Sequence, residues 1–124
     1  VAVVAHTEIV EQQLQIKTLY CVMDCGRVIS PDRVKAQVES NLCWGVSMAL
    51  HEQFELENGI AKTDNFNNYP ITRQTDMPNM VIHLMNSTQT PSGAGEAAFA
   101  PAAAAIANSL QHINIQSLPI KLQA

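Results

Sequence analysis

The sequence predicts an α+β fold, an antiparallel or mixed sheet packed against two long helices. Three observations carry that prediction. Val1 to Ile9 and Leu14 to Val22 are rich in strand-forming residues and flank the polar run Glu11-Gln12-Gln13, the pattern of an antiparallel hairpin. Val34, Val38, Leu42, Val46 and Leu50 recur at i, i+4 spacing, one apolar stripe of a helix. Eight of the eleven residues from Ala97 to Ala107 are alanine, which favours helix and lets neighbouring backbones come close.

Composition bounds the rest. A chain of 124 residues is one domain at most, or part of one, and its 47% apolar share supplies a packed core. The net charge of −4 comes from eleven acids and seven bases with no Lys/Arg cluster, which argues against nucleic-acid binding through a basic patch. No apolar run reaches membrane-spanning length, and Pro101 interrupts the alanine-rich stretch. Cys21, Cys25 and Cys43 form neither a Cys-x-x-Cys pair nor a set with histidine at zinc-ligand spacing, so they read as buried structural thiols and no metal ligands are assigned. The chain opens Val1-Ala2-Val3-Val4-Ala5 with no methionine and no leader pattern. It reads as a piece of a longer polypeptide, from which a compartment cannot be inferred.

Taken in order, the first hairpin should place Leu14, Ile16, Thr18, Tyr20 and Val22 on one face, and Asp24-Cys25-Gly26 should end it. Ser30 is a cap candidate and Pro31 suits a first helical position, so a helix is predicted from about Asp32 to His51. Its second half, Leu42 to Leu50, is apolar nearly all round and should be buried on several sides. Gln37, Asn41 and Gly45 form a neighbouring row, and a polar row on a buried helix needs partners, either backbone groups of this domain or a polar ligand. Asn58-Gly59 predicts a type I′ turn in a second hairpin spanning Gln53 to Lys62, with Glu55 and Glu57 on a solvated face. Asp64 to Asn79 is too broken by Asn and Pro for a regular element and reads as a long loop that binds something or wraps a neighbour. Met80 to Met85 is a strand with His83 on its polar side. That histidine and His6, His51 and His112 each stand alone and read as structural. The alanine-rich helix is predicted to run to about Gln111 and to lie deep, because it has no polar face. Asn114 to Leu118 is a last short strand, ended by Pro119.

The chain is organised around Pro91-Ser92-Gly93-Ala94-Gly95-Glu96, a loop of small residues that ends in one carboxylate and leads straight into the uncharged helix. Gly93 and Gly95 permit positive φ and the close approach of another group. Glu96 is the only charge between Asp76 and Lys121, and a lone acid at the mouth of a buried helix is costly unless something requires it. An ordinary loop before a helix remains an alternative, since the macrodipole favours a carboxylate there. A phosphate cradle has less support: Gly-x-Gly is present, without a third glycine in register or a Gly-Lys-Ser/Thr ending.

These motifs together resemble the C-terminal portion of the molybdopterin-binding subunit of the xanthine dehydrogenase/aldehyde oxidase family, in its isoquinoline 1-oxidoreductase β-subunit branch. The resemblance rests on Val22-Met23-Asp24-Cys25-Gly26-Arg27-Val28-Ile29-Ser30-Pro31-Asp32, Ala36-Gln37-Val38-Glu39 with Gly45, and Asn65-Phe66 with Tyr69-Pro70. It continues through Gly93-Ala94-Gly95-Glu96, Pro101, Ala105-Ile106-Ala107-Asn108 and Ser117-Leu118-Pro119-Ile120, nearly the whole chain in order. Ala97 stands where the family commonly has proline, and Ser40-Asn41 where it commonly has glycines.

The resemblance implies that residues 1–124 are a single-domain fragment of a molybdopterin-binding domain. It implies an oxidoreductase that hydroxylates an aldehyde or an N-heteroaromatic ring with water as the oxygen source. Glu96 would be the catalytic general base. Gln37 would help hold the pterin, and Gly93, Ala94 and Gly95 would line the approach to the metal. The cofactor would be molybdopterin, in bacteria commonly the cytosine dinucleotide form. The partners would be the rest of the molybdenum subunit and a 2Fe-2S subunit or domain. The isolated fragment is expected to carry no cofactor and no activity, and to self-associate through apolar faces that normally meet the missing part. The competing reading is a non-catalytic α+β partner-binding module that keeps the fold alone.

Overall fold

In the computed structural model, which describes residues 1–122, β1 (Ala2–Val10) and β2 (Gln13–Met23) form the predicted antiparallel hairpin. Its turn is Glu11-Gln12, both in the left-handed region at φ 50° and 62°, the backbone that a two-residue hairpin loop requires. The inward face differs from the simple alternation. His6 pairs with Thr18 but Thr7 pairs with Ile16, so Lys17 is an extra residue that bulges out of the ladder. One extra residue reverses which positions point inward. Leu14 and Ile16 pack on the core before the bulge, and Leu19, Cys21 and Met23 are buried after it. Tyr20 and Val22, expected beside Leu14 and Ile16, lie on the opposite face and are 46% and 40% exposed.

Helix α1 (Pro31–Leu50) begins with Pro31 in its first turn, as predicted. Ser30 does not cap it with its side chain: its backbone, at φ −127° and ψ 89°, lies off the usual cap geometry. The Ser30 carbonyl instead accepts from the Val34 N–H at 3.1 Å. Val38, Leu42 and Val46 are fully buried and pack with Leu19, Cys21 and Met23, while Val34 and Leu50 close the ends of the row. This shared burial of the helix stripe and the inner sheet face is the main source of stability.

The second hairpin is present but short, with β3 (Leu56–Glu57) and β4 (Ile60–Ala61) joined by Asn58 and Gly59 at φ 51° and 78°, a type I′ turn. Residues 62–78 form the predicted loop, with one 3-10 turn at Gln74–Asp76. β5 (Asn79–Leu84) then pairs parallel to β2, giving a mixed sheet in the order β1-β2-β5. His83 is exposed on its outer side, as expected.

Helix α2 (Phe99–Asn108) is shorter than predicted. The Ser109 hydroxyl donates to the Ile106 carbonyl and so accepts from the Thr7 hydroxyl, both at 2.7 Å, which pins the helix end to β1. The helix does not lie deep on every side. Ala102, Ala103 and Ile106 are buried, whereas Ala100, Ala104 and Asn108 are exposed. Its buried face meets α1 at Gly45, where an added Cβ would sit 2.5 Å from the Ala102 Cβ and 3.0 Å from the Phe99 carbonyl oxygen. Only glycine permits that approach. Asn114 to Leu118 is not a strand. Ile113 and Ile115 tuck against the core and the Ile120 N–H donates to the Ala49 carbonyl at 2.7 Å, so the segment is held by the end of α1 rather than by a sheet edge.

Candidate functional site

The loop between β5 and α2 is held at both ends, by backbone contacts at its start and by a side chain at its far end. At its start, the Arg27 N–H donates to the Gln89 carbonyl at 3.0 Å and the Ser92 N–H donates to the Cys25 carbonyl at 2.8 Å. Gly26 makes this possible: its φ is +75°, and a Cβ there would fall 2.3 Å from the Thr90 carbonyl oxygen. The Gly26 N–H itself donates to the Asp24 carboxylate at 3.0 Å, closing the turn that ends β2.

The far end of the loop is held by one side chain. Asn41, in the middle of α1, is only 3% exposed. Its Nδ2 donates to the Gln37 and Gly95 carbonyls, each at 2.7 Å, and its Oδ1 accepts from the Ala98 N–H at 3.0 Å. Asn41, the buried amide of the polar row on α1, thus finds backbone partners within this chain, at Gln37 on the helix itself and at Gly95 and Ala98, one residue before and two after Glu96. The Phe99 N–H donates to the Glu96 carbonyl at 3.4 Å as the helix begins. Beside this seam, Trp44 and Phe99 stack with ring centroids 5.3 Å apart.

Glu96 itself is exposed, and it belongs to none of the three ion pairs among the described residues, which join Glu8 to His6 and Lys17 and Glu57 to Lys62. Gln37 is also exposed, one helical turn before Asn41, and its carbonyl shares the Asn41 amide with the Gly95 carbonyl. Ala94 is half-buried against the core. Gly93 and Gly95 differ from expectation. Neither has positive φ, because the turn chemistry is carried by Gly26 and by the Asn41 contacts instead. A Cβ added at either would meet nothing within 4 Å, so the outer side of the loop is open. Three hollows on the surface lie elsewhere: by Ile9, Gln53 and Leu118; between Pro31 and His83; and at the exit of α2. None takes in Glu96 or Gln37.

The remaining chemistry-bearing groups do not form a centre. Among the described residues no three His, Cys, Asp or Glu side chains are placed to share a metal ion. Cys21 and Cys25 are buried and Cys43 is half-buried, all as free thiols. Burial pushes the Cys21 and Cys43 thiols up, with Glu39 adding to the effect at Cys43. No helix among the described residues is long and apolar enough to cross a membrane. Sequence reasoning marked the row Gln37, Asn41 and Gly45 as needing partners, but not that Asn41 alone is buried or what it holds. The signal was a polar row beside a buried apolar stripe.

The family model described as "Molybdopterin cofactor-binding domain" matches residues 1–78. The β subunit of isoquinoline 1-oxidoreductase from Brevundimonas diminuta is 32% identical over 114 residues, which cover 90% of this chain and 15% of that protein. A membrane-bound aldehyde dehydrogenase [pyrroloquinoline-quinone] from Gluconacetobacter polyoxogenes is 35% identical over 106 residues, covering 83% of this chain and 14% of that protein. The crystal structure of quinoline 2-oxidoreductase from Pseudomonas putida 86 superposes with a TM-score of 0.73 at 24% identity, over 87% of this chain and 15% of that one, a likeness of fold. The chain therefore spans about one-seventh of the length of these relatives.

Proposed function

The chain belongs to the molybdopterin cofactor-binding domain family, that of the molybdenum-binding subunits of xanthine dehydrogenase/aldehyde oxidase-type enzymes, and from that premise we propose that it is one domain of a molybdenum hydroxylase with Glu96 as its general base. The observation that carries the reading is an exposed carboxylate outside the ion pairs of the described residues, on a loop anchored from behind by Asn41.

The residues present fit the cofactor. Gly93 and Gly95 present bare backbone to open space, so a flat ring system can come close without meeting a Cβ. Gln37 offers a side-chain donor and acceptor suited to the polar edge of a pterin. Gln37, Gly93, Ala94 and Gly95 would hold it. When bound, the molybdenum centre supplies two-electron oxidation of the substrate carbon and activation of a water-derived oxygen. Glu96 would take up a proton there as a general base, and the contacts of Gly95 and Ala98 to Asn41 hold the backbone that carries it. The names of the relatives point to small N-heterocycles or aldehydes as the substrate class. The rest of the molybdenum subunit and a 2Fe-2S subunit or domain complete the enzyme on this reading. On the same reading the cofactor would be the cytosine dinucleotide form of molybdopterin, and the isolated chain would be inactive.

In the full-length enzyme, Glu96→Gln should keep the molybdenum content and lower kcat by about 10²-fold or more. Near-normal turnover at full molybdenum content would remove Glu96 from the mechanism.

A further inference from the structure

Asn41 uses both ends of its amide. Nδ2 serves two carbonyls at 2.7 Å and Oδ1 serves one N–H at 3.0 Å, in a site only 3% exposed. Turning the amide over would set its oxygen against two carbonyl oxygens and its NH2 against an N–H, so one orientation alone satisfies the set. Two of the three contacts bracket Glu96, one residue before it and two after. Little else holds that stretch, because Gly95 has no side chain, Glu96 and Ala97 are exposed, and only Ala98 is buried. The third contact ties the same amide to the turn that carries Gln37.

Resting on the reading of Glu96 as the base, we infer that Asn41 is a positioning residue that locks residues 95–98 onto α1 and holds the Glu96 carboxylate in register with Gln37. It neither gains nor loses a proton and touches no reacting atom. Its effect on turnover passes through Glu96. A loop of small residues without this clamp would sample many placements of the carboxylate, and misplacement by about 1 Å lowers a rate by up to roughly a hundredfold.

The test uses the full-length enzyme with Asn41→Ala and, as a same-size variant that keeps the acceptor for Ala98, Asn41→Asp. Hydrogen exchange over residues 93–99 should speed up in Asn41→Ala while the rest of α1 keeps its protection and molybdenum content stays constant. kcat should fall roughly ten- to a hundredfold with KM little changed, and Asn41→Asp, whose second oxygen would face the Gln37 and Gly95 carbonyls, should fall at least as far. In a Glu96→Gln background, Asn41→Ala should lower kcat no further. Unchanged exchange in 93–99, or equal losses of kcat with and without Glu96, would overturn the proposal. Should alanine fail to fold, Asn41→Gln, which keeps the amide donor and acceptor but sets them one methylene out of place, carries the same two readouts. Wild-type turnover in Glu96→Gln alone would remove the base and this positioning role with it. Faster exchange in Asn41→Ala would then still identify the loop contact, so the two failures are distinguishable.

Discussion

Replacing Gly45 with alanine measures how closely the two helices must approach to present the loop. The new Cβ would lie 2.5 Å from the Ala102 Cβ, 3.0 Å from the Phe99 carbonyl oxygen and 3.1 Å from the Ala103 nitrogen. Carbon atoms meet comfortably at about 3.5–4.0 Å, so α1 and α2 must part by on the order of 1 Å. Two of the three obstacles are backbone atoms of α2, which cannot rotate away. Overpacking of this kind costs about 1–3 kcal/mol, and the better helix propensity of alanine offsets about 1 kcal/mol of it. The same displacement stretches the 3.0 Å contact between Asn41 Oδ1 and the Ala98 N–H. A buried N–H left unpaired costs a further 1–3 kcal/mol or so, which brings the expected net loss to about 3 kcal/mol. Urea unfolding followed by tryptophan emission reads this seam directly, because Trp44 is the sole tryptophan and stacks on Phe99. Adding Ala102→Gly removes the nearest obstacle. It should recover part of the loss although glycine weakens the helix by about 1 kcal/mol, so the two changes should couple favourably. An unchanged midpoint in Gly45→Ala, or strict additivity of the pair, would refute the close-contact argument.

Gly26→Ala should be at least as damaging, since it places a side chain in the left-handed region and drives a Cβ to 2.3 Å from the Thr90 carbonyl oxygen. The expected loss is about 3 kcal/mol or more by urea unfolding, and it should come with faster exchange of the Ser92 amide. A variant within about 0.5 kcal/mol of wild type would show that the loop start is not seated as described. The raised Cys21 and Cys43 thiols set a pH dependence: the folded chain holds these protons more tightly than the unfolded chain, so their stabilisation is complete below the ordinary thiol range and is lost as pH rises through the folded values. The urea midpoint should therefore fall above about pH 8.5, and fall less when both residues are alanine; identical pH profiles would contradict this.

Much of the fold could be read from local chemistry. Asn58-Gly59 named its turn because φ > 0 at both positions leaves few other choices. The α1 stripe identified its buried face because burial of Val38, Leu42 and Val46 follows from their spacing alone. The errors lie where tertiary contacts override a local rule. Nothing in the run around Lys17 marks the bulge that turns Tyr20 and Val22 outward, since the bulge is defined by pairing with β1. Asn114 to Leu118 has strand-like residues, but it pairs with no strand, and Ile120 just beyond it bonds to the end of α1. At the site, Gly93 and Gly95 were conspicuous, yet Gly26 carries the positive φ and Gly45 the close approach, both fixed by residues more than fifty positions away. Asn41 was legible as part of a polar row that needs partners, and only the fold supplied them.

The arrangement of open surfaces has one direction. The loop bearing Glu96 is anchored to Cys25, Asn41 and Arg27 on its inner side and bare on its outer side. The sheet repeats the pattern. Val4, Tyr20 and Val81 face each other across all three strands on the side away from the helices, and each is at least 46% exposed. Three apolar side chains in register make a strip that a soluble domain ordinarily covers. This chain amounts to 15% of the length of the isoquinoline 1-oxidoreductase subunit it matches, so the proposed enzyme has ample chain to cover both surfaces. If Glu96 is the base proposed above, its proton transfer would also call for such a cover, because water in the site weakens the electrostatic interactions that organise it. On this reading the segment supplies the base and its mounting, and the enclosing wall comes from elsewhere in the subunit. The Asn41 clamp is then what lets a base on an exposed loop arrive already placed when that wall closes over it.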